Sequence, residues 1–192
     1  TIINYGIGFN LAIYVDQEYW RLITPIFLHA NMPHVLFNSF ALVLFGPALE
    51  RMTGKVRFLI IYFATGIIGN IATYVIDPLS VTTHLGASGA VYGLFGIYLY
   101  MSFARKDLID PQSTQIVRII FVIGVIMTFL RPNINIAAHL FGALGGLIIA
   151  PILLQGARPF YKPTYRKKLA EGEVGFDPNR WNKRRIIPKK IR

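Results

Sequence analysis

Residues 58–76 read FLIIYFATGIIGNIATYVI, nineteen consecutive positions without a charged side chain. A hydrocarbon core about 30 Å thick is crossed by roughly 20 apolar residues of helix, so this stretch alone argues for a membrane-spanning fold. Working outward, residues 78–104 are 27 positions without a charge and residues 132–157 are 26. Two shorter runs, 35–49 and 119–130, reach spanning length with flanking polar residues turned to a protein interior: His34 ahead of the first, and 115–118 ahead of the second. The pattern predicts an all-α polytopic membrane bundle with helices at about 33–52, 57–77, 87–104, 114–130 and 136–154. A soluble helical core would require charged outer faces on these helices, and they have none.

The composition agrees. Of 192 residues, 54% are apolar and 15% charged, against about 25% charged in a typical soluble domain, and the mean hydropathy is +0.48. The net charge of +11 is unevenly placed: residues 155–192 hold 12 basic and 3 acidic side chains, residues 1–154 only 8 and 6. We therefore expect a membrane domain over 1–154, in which 1–32 is an outer loop region, and a basic tail over 155–192. The body has no basic face, which removes nucleic acid as a partner; the tail suits solvent or anionic lipid headgroups. There is no cysteine, which excludes disulfides and thiol chemistry.

Orientation follows from the basic residues between spans. With five alternating helices, 18 of the 20 Lys and Arg side chains fall on one side, and only Arg21 and Arg131 on the other. By the positive-inside rule the tail is cytoplasmic and the segments 1–32, 77–86 and 131–135 are outside. Residues 1–32 carry no signal peptide, so a further helix ahead of Thr1 is expected to have carried them across.

The polar residues at membrane depth narrow the chemistry. Every Asp and Glu of the body lies at or beyond the edge of a span, which argues against an aspartyl protease and most proton-coupled carriers. No HExxH is present. His34, Asn38, Ser39, Asn70, His84, Ser88, Ser102 and His139 remain, and they should face one another, because an unpaired polar group in hydrocarbon costs several kcal/mol. Ser88, in Gly86-Ala87-Ser88-Gly89, opens its helix, where free backbone N–H groups and the helix dipole suit an oxyanion; a serine there is also an ordinary cap. His139 lies near the same end of the last helix. Gly89, Gly93 and Gly96 on one helix and Gly142 and Gly146 on the other form small-residue faces for close approach, a pattern that serves internal packing and self-association alike and so assigns no oligomeric state. With no carboxylate at hand, these two residues suggest a Ser–His dyad rather than a triad. Tyr92, four residues after Ser88, is placed to stack on the imidazole. His34 and Asn38 share a helix face and either complete an oxyanion hole or bond to each other. Ligation of a metal by the four histidines finds no supporting carboxylate.

Together these residues resemble the rhomboid family of intramembrane serine proteases over about residues 18–154. Trp20-Arg21 is similar to the WR motif of the first outer loop, His34-x-x-x-Asn38 to HxxxN, and Glu50 with Gly54 to the ExxxG turn. Gly86-Ala87-Ser88-Gly89 with Tyr92 resembles the GxSG nucleophile motif, and Ala138-His139 with Gly142 and Gly146 resembles AHxxGxxxG. The resemblance implies Ser88 as nucleophile and His139 as general base, with His34 and Asn38 stabilising the oxyanion. It further implies Tyr92 supporting His139, Gly86 and Gly89 lining the substrate site, and His29 as a neighbour. It also implies transmembrane protein substrates and no cofactor or metal; the Lys/Arg bias fits a bacterial plasma membrane best, with the site opening outside, and leaves organelle membranes open. Two departures stand out: the family core has six helices, of which five are seen, and Met52 stands where members often carry an arginine. An inactive relative that binds membrane clients without cutting them is the alternative; inactive relatives usually lack the serine or the histidine.

Overall fold

The computed structural model describes residues 2–160; the expected basic tail lies outside the described residues from 161 onward. Seven α-helices are present among them: α1 (Ile2–Gly6), α2 (Asn10–Asp16), α3 (Met32–Thr53), α4 (Lys55–Ile76), α5 (Ser88–Ala104), α6 (Pro111–Leu130) and α7 (Ile136–Leu153). The five expected spans correspond to α3–α7. Four of them are long and apolar enough to cross a membrane, and α5, at 17 residues, is shorter. Their starts are written in the sequence. Asn31, Asp110 and Asn135 accept hydrogen bonds from the N–H groups of His34, Ser113 and Ala138, satisfying donors that a helix cannot pair itself. Pro33 and Pro111 occupy first-turn positions where a missing N–H costs nothing. Between α3 and α4 the chain turns at Gly54, with φ of +87°, a conformation that glycine adopts freely.

α5 is the centre of the bundle. Twelve of its residues are buried, and it packs with α4 and α7 into one three-helix unit. The contact is backbone to backbone. A methyl group added to Gly142 would strike the Gly89 carbonyl, one on Gly146 the Gly93 carbonyl, and one on Gly96 the Ala143 carbonyl. α3 and α6 lie against this unit with one face each. Of α6 only Val117 and Thr128 are buried, while Ile119, Val122, Ile123, Phe129 and Leu130 are exposed, as are Phe37, Phe40 and Val43 of α3. Apolar surface on this scale belongs against lipid rather than water.

Residues 2–31, expected as a loop, are instead ordered into two short helices, two 3-10 turns and one strand. β1 (Gly8–Phe9) pairs antiparallel with β2 (Thr83–His84). Elements this short have no hydrophobic period to read. They are held by polar side chains: the buried Arg21 guanidinium donates to the carbonyls of Asn4 (2.9 Å) and Ile7 (2.8 Å) and pairs with Glu18 (2.5 Å). Asn10 donates to Thr73 and Asp77 at the end of α4, Asn70 of α4 to Leu22, and Trp20 to Tyr5. At the other end, the guanidinium groups of Arg57 and Arg105 donate to the Gln155 and Leu154 carbonyls after α7. Arg118, two turns inside α6, reaches Ser102 of α5.

Candidate active site

Ser88 is the first residue of α5, directly after the N-cap Ala87. Its Oγ lies 2.7 Å from His139 Nε2, a separation that holds one shared proton. The close glycine contacts explain this distance: Gly89 follows the serine directly, Gly142 is one turn beyond the histidine, and the two backbones touch. The Tyr92 ring stacks on the imidazole, with centroids 4.1 Å apart and planes 16° from parallel. The sequence singled out this stacking; it did not single out Thr128. That hydroxyl, on α6, lies 2.8 Å from His139 Nδ1 and 2.8 Å from Tyr92 Oη. A threonine in the run FVIGVIMTFL reads as an ordinary lipid-tolerant residue, because its Oγ1 donates to the carbonyl four residues back, here Gly124 at 2.9 Å. Only the helix crossing reveals what else it meets.

Two histidines stand on the open side of the serine. Gly86 has φ of +131°, and a methyl added to it would lie 2.6 Å from His34 Nε2 and 3.8 Å from Ser88 Oγ. The His34 ring therefore covers Gly86 within reach of whatever occupies the space before Ser88. His29 meets His34 edge to face at 5.0 Å, and its Nε2 accepts from the Ala87 N–H at 3.4 Å. Burial, and then the neighbouring His34, hold the His29 imidazole below its usual pKa. Asn38 is buried, and its amide donates to the His34 carbonyl at 3.0 Å. That is the local bond the spacing allowed as the alternative to an oxyanion hole, yet an amide nitrogen carries two protons and the second is uncommitted by this bond. His29, Asn38 and Ala87 line one cavity of about 230 Å³ together with Ile26, Phe27 and Tyr62. A second crevice, about 200 Å³, lies between α3, α5 and α6 around Phe45, Tyr98 and Val117; it is mostly apolar, and Ser88, His139, His34 and Asn38 do not line it.

His84 stands apart from Ser88 and His139. Its ring lies over Gly8 in the β1–β2 pair, its Nε2 is buried without a partner, and burial lowers its pKa to about 4. Among the described residues no three His, Asp or Glu side chains are grouped closely enough to hold a metal. The arrangement around Ser88 offers three things together: a hydroxyl bonded to an imidazole, a helix amino terminus, and polar donors on the facing helix. A carbonyl entering this space would meet the Ser88 hydroxyl and the unpaired first-turn N–H groups of α5.

Comparison with known proteins agrees with this architecture. The Rhomboid domain family model matches residues 16–156. The chain is 50% identical over 148 residues to "Putative rhomboid protease YdcA" of Bacillus subtilis, covering 77% of this chain and 73% of that protein. It is 40% identical over 154 residues to rhomboid protease GluP of the same organism, covering 80% of this chain but 29% of that protein. With RHOMBOID-like protein 9, chloroplastic, of Arabidopsis thaliana it shares 32% over 162 residues, covering 80% of this chain and 36% of the relative. The described helices, their lipid-suited faces and these matches lead to one assignment: this chain is an integral membrane protein that belongs to the rhomboid family.

Proposed function

We propose that the protein is a serine-type intramembrane endopeptidase, which hydrolyses a peptide bond in or near the transmembrane helix of a membrane-protein substrate. The observation that carries this reading is the 2.7 Å approach of Ser88 Oγ to His139 Nε2 at the amino end of α5. His139 takes the serine proton as Oγ attacks the scissile carbonyl. The oxyanion that forms is stabilised by the first-turn N–H groups of α5, by His34 and by the free Asn38 proton. The imidazolium then returns its proton to the leaving amine, and an acyl-enzyme remains. Water, deprotonated by His139, hydrolyses that ester and restores the hydroxyl. Gly86 has no side chain to block an approaching substrate backbone; Gly89, expected beside it, is instead buried against Ala138 and Gly66 and serves the packing of α5.

A helical substrate shields its carbonyls in its own hydrogen bonds, so the segment to be cut must first unwind. We therefore expect substrates with helix-weakening residues near the bond. The basic bias supports a tail on the cytoplasmic side and the Ser88 end of the bundle on the outside, most naturally of a bacterial plasma membrane. The test is cleavage of a tagged single-span reporter in liposomes, with covalent labelling by a fluorophosphonate read in parallel. The parent should yield one product and label at Ser88, and Ser88→Ala and His139→Ala should abolish the product. Cleavage that survives Ser88→Ala would identify another nucleophile. A parent that binds the reporter without cutting it or taking label would instead be a client-binding relative.

A further inference from the structure

We infer that Thr128 is a positioning residue that sets the tautomer of His139, delivered to the site by α6; this rests on the proposed Ser88–His139 chemistry. Three hydrogen-bonding atoms lie close to Thr128 Oγ1: Gly124 O at 2.9 Å, Tyr92 Oη at 2.8 Å and His139 Nδ1 at 2.8 Å. Each close pair is attractive only with a proton between its two atoms. A carbonyl accepts and never donates, so the threonine's single proton must point to Gly124. Tyr92 and His139 must then supply the other two. Only this assignment places a proton in all three contacts. It makes His139 the Nδ1–H tautomer and leaves the Nε2 lone pair facing Ser88 Oγ, which donates to it across 2.7 Å. The opposite tautomer draws the threonine proton toward Nδ1. It leaves Oγ1 and the Gly124 carbonyl facing each other as two acceptors, and presents Ser88 with an N–H that cannot take its proton.

The surroundings enforce the choice. Thr128 is 2% exposed and His139 7%, so little water reaches the pair to supply a compensating bond. A carboxylate in this position would hold the same tautomer and stabilise the imidazolium further, but as a buried charge at membrane depth it carries a heavy desolvation cost. A hydroxyl anchored to its own helix orients the base without that cost. Thr128 and Val117 are the only buried residues of α6, so the seating of this helix and the protonation pattern of the base are linked through one hydrogen bond.

The test combines a tautomer measurement with kinetics. Nitrogen-15 NMR of the full chain labelled at histidine, in lipid nanodiscs at pH 8, reads each ring nitrogen separately; only four histidines are present, and His139→Asn identifies the relevant pair of signals. The expected result for the parent is Nδ1 protonated and Nε2 bare. Thr128→Val, which keeps the shape and removes the hydroxyl, should lose that preference and lower kcat on the order of 10- to 100-fold with KM unchanged. Thr128→Ser should restore both. A parent in which Nε2 carries the proton overturns the inference. So does a Thr128→Val variant that keeps both the Nδ1–H signature and the parental rate. The NMR result stands whether or not the protein cuts a reporter, so failure of the protease reading and failure of this one are separate outcomes. If Thr128→Val does not fold, the parental spectrum and Thr128→Ser decide.

Discussion

Replacing Gly142 by alanine tests the geometry on which the site depends. The added methyl would strike the Gly89 carbonyl oxygen and lie 3.0 Å from its carbon and 3.2 Å from Gly89 Cα. Comfortable carbon–carbon contacts are about 3.5–4.0 Å, and all three atoms are backbone of a buried helix, with no rotamer to give way. α5 and α7 must therefore part by about 1 Å, roughly the amount by which the oxygen contact falls short of an ordinary carbon–oxygen separation. A parting of this size takes the Ser88–His139 separation of 2.7 Å to nearly 4 Å, beyond hydrogen-bond range. Overpacking of this kind costs about 1–3 kcal/mol. Misplacing reacting groups by about 1 Å costs on the order of 100-fold in rate. Gly145→Ala on the same helix is the control, because its methyl meets no backbone, only the Ile68 side chain at 3.0 Å from Cδ1 and 3.1 Å from Cγ2. Thermal melting in detergent and reporter cleavage in liposomes should show Gly142→Ala lower in both measures and Gly145→Ala close to the parent. A Gly142→Ala protein with parental melting temperature and parental rate would refute the claim that the backbones touch.

Three further outcomes are expected. Gly86→Ala forces an L-residue to φ near +131° and drives its methyl to 2.6 Å from His34 Nε2; reporter cleavage should fall about tenfold or more as the His34 ring is displaced. Arg21→Met leaves the Asn4 and Ile7 carbonyls without their donor and should lower stability by about 3 kcal/mol in a denaturant titration. Arg21→Lys should recover only part of it, since an ammonium cannot reproduce the guanidinium fork. His84 should make the fold acid-sensitive: its folded pKa of about 4 lies below the ordinary 6.5, so as pH falls through 6.5 the unfolded chain takes up the proton first. Stability is then full above about pH 6.5 and drains toward pH 4 by on the order of 3 kcal/mol. Melting curves at pH 7.5 and 5 should show a larger drop for the parent than for His84→Asn.

The helices of the bundle were legible because each announces itself locally. Nineteen uncharged residues at 58–76 and two longer runs need no tertiary information to be read as spans, whereas hydropathy started α6 at about 114, a turn later than the Asp110 cap and Pro111 begin it. Residues 2–31 were not legible. Helices of five and seven residues are too short for a period, and what orders them is Arg21 and Asn10 reaching carbonyls far away in the chain. The same division runs through the candidate site. The four-residue spacings of His34 to Asn38 and Ser88 to Tyr92 place side chains on common faces by helical geometry alone. Thr128 has no such marker, since its role depends on how α6 crosses α5 and α7, and that crossing is set by packing rather than by any nearby residue.

The shortness of α5 has a further consequence. Seventeen residues at 1.5 Å each give a rod of about 25 Å, some 5 Å less than a typical hydrocarbon core. With Arg105 and Asp107 paired at its carboxyl end, the deficit falls at the other end, where Ser88 begins. In the orientation proposed above, the helix acts as a depth gauge: its length sets how far beneath the outer surface the hydroxyl sits. Just ahead of Ser88 the Gly86 N–H donates to the Pro25 carbonyl at 2.9 Å and the Ala87 N–H to His29. One extra turn inserted between Ser88 and Arg105 would raise the hydroxyl by about 5.4 Å, close to the level of the lipid headgroups.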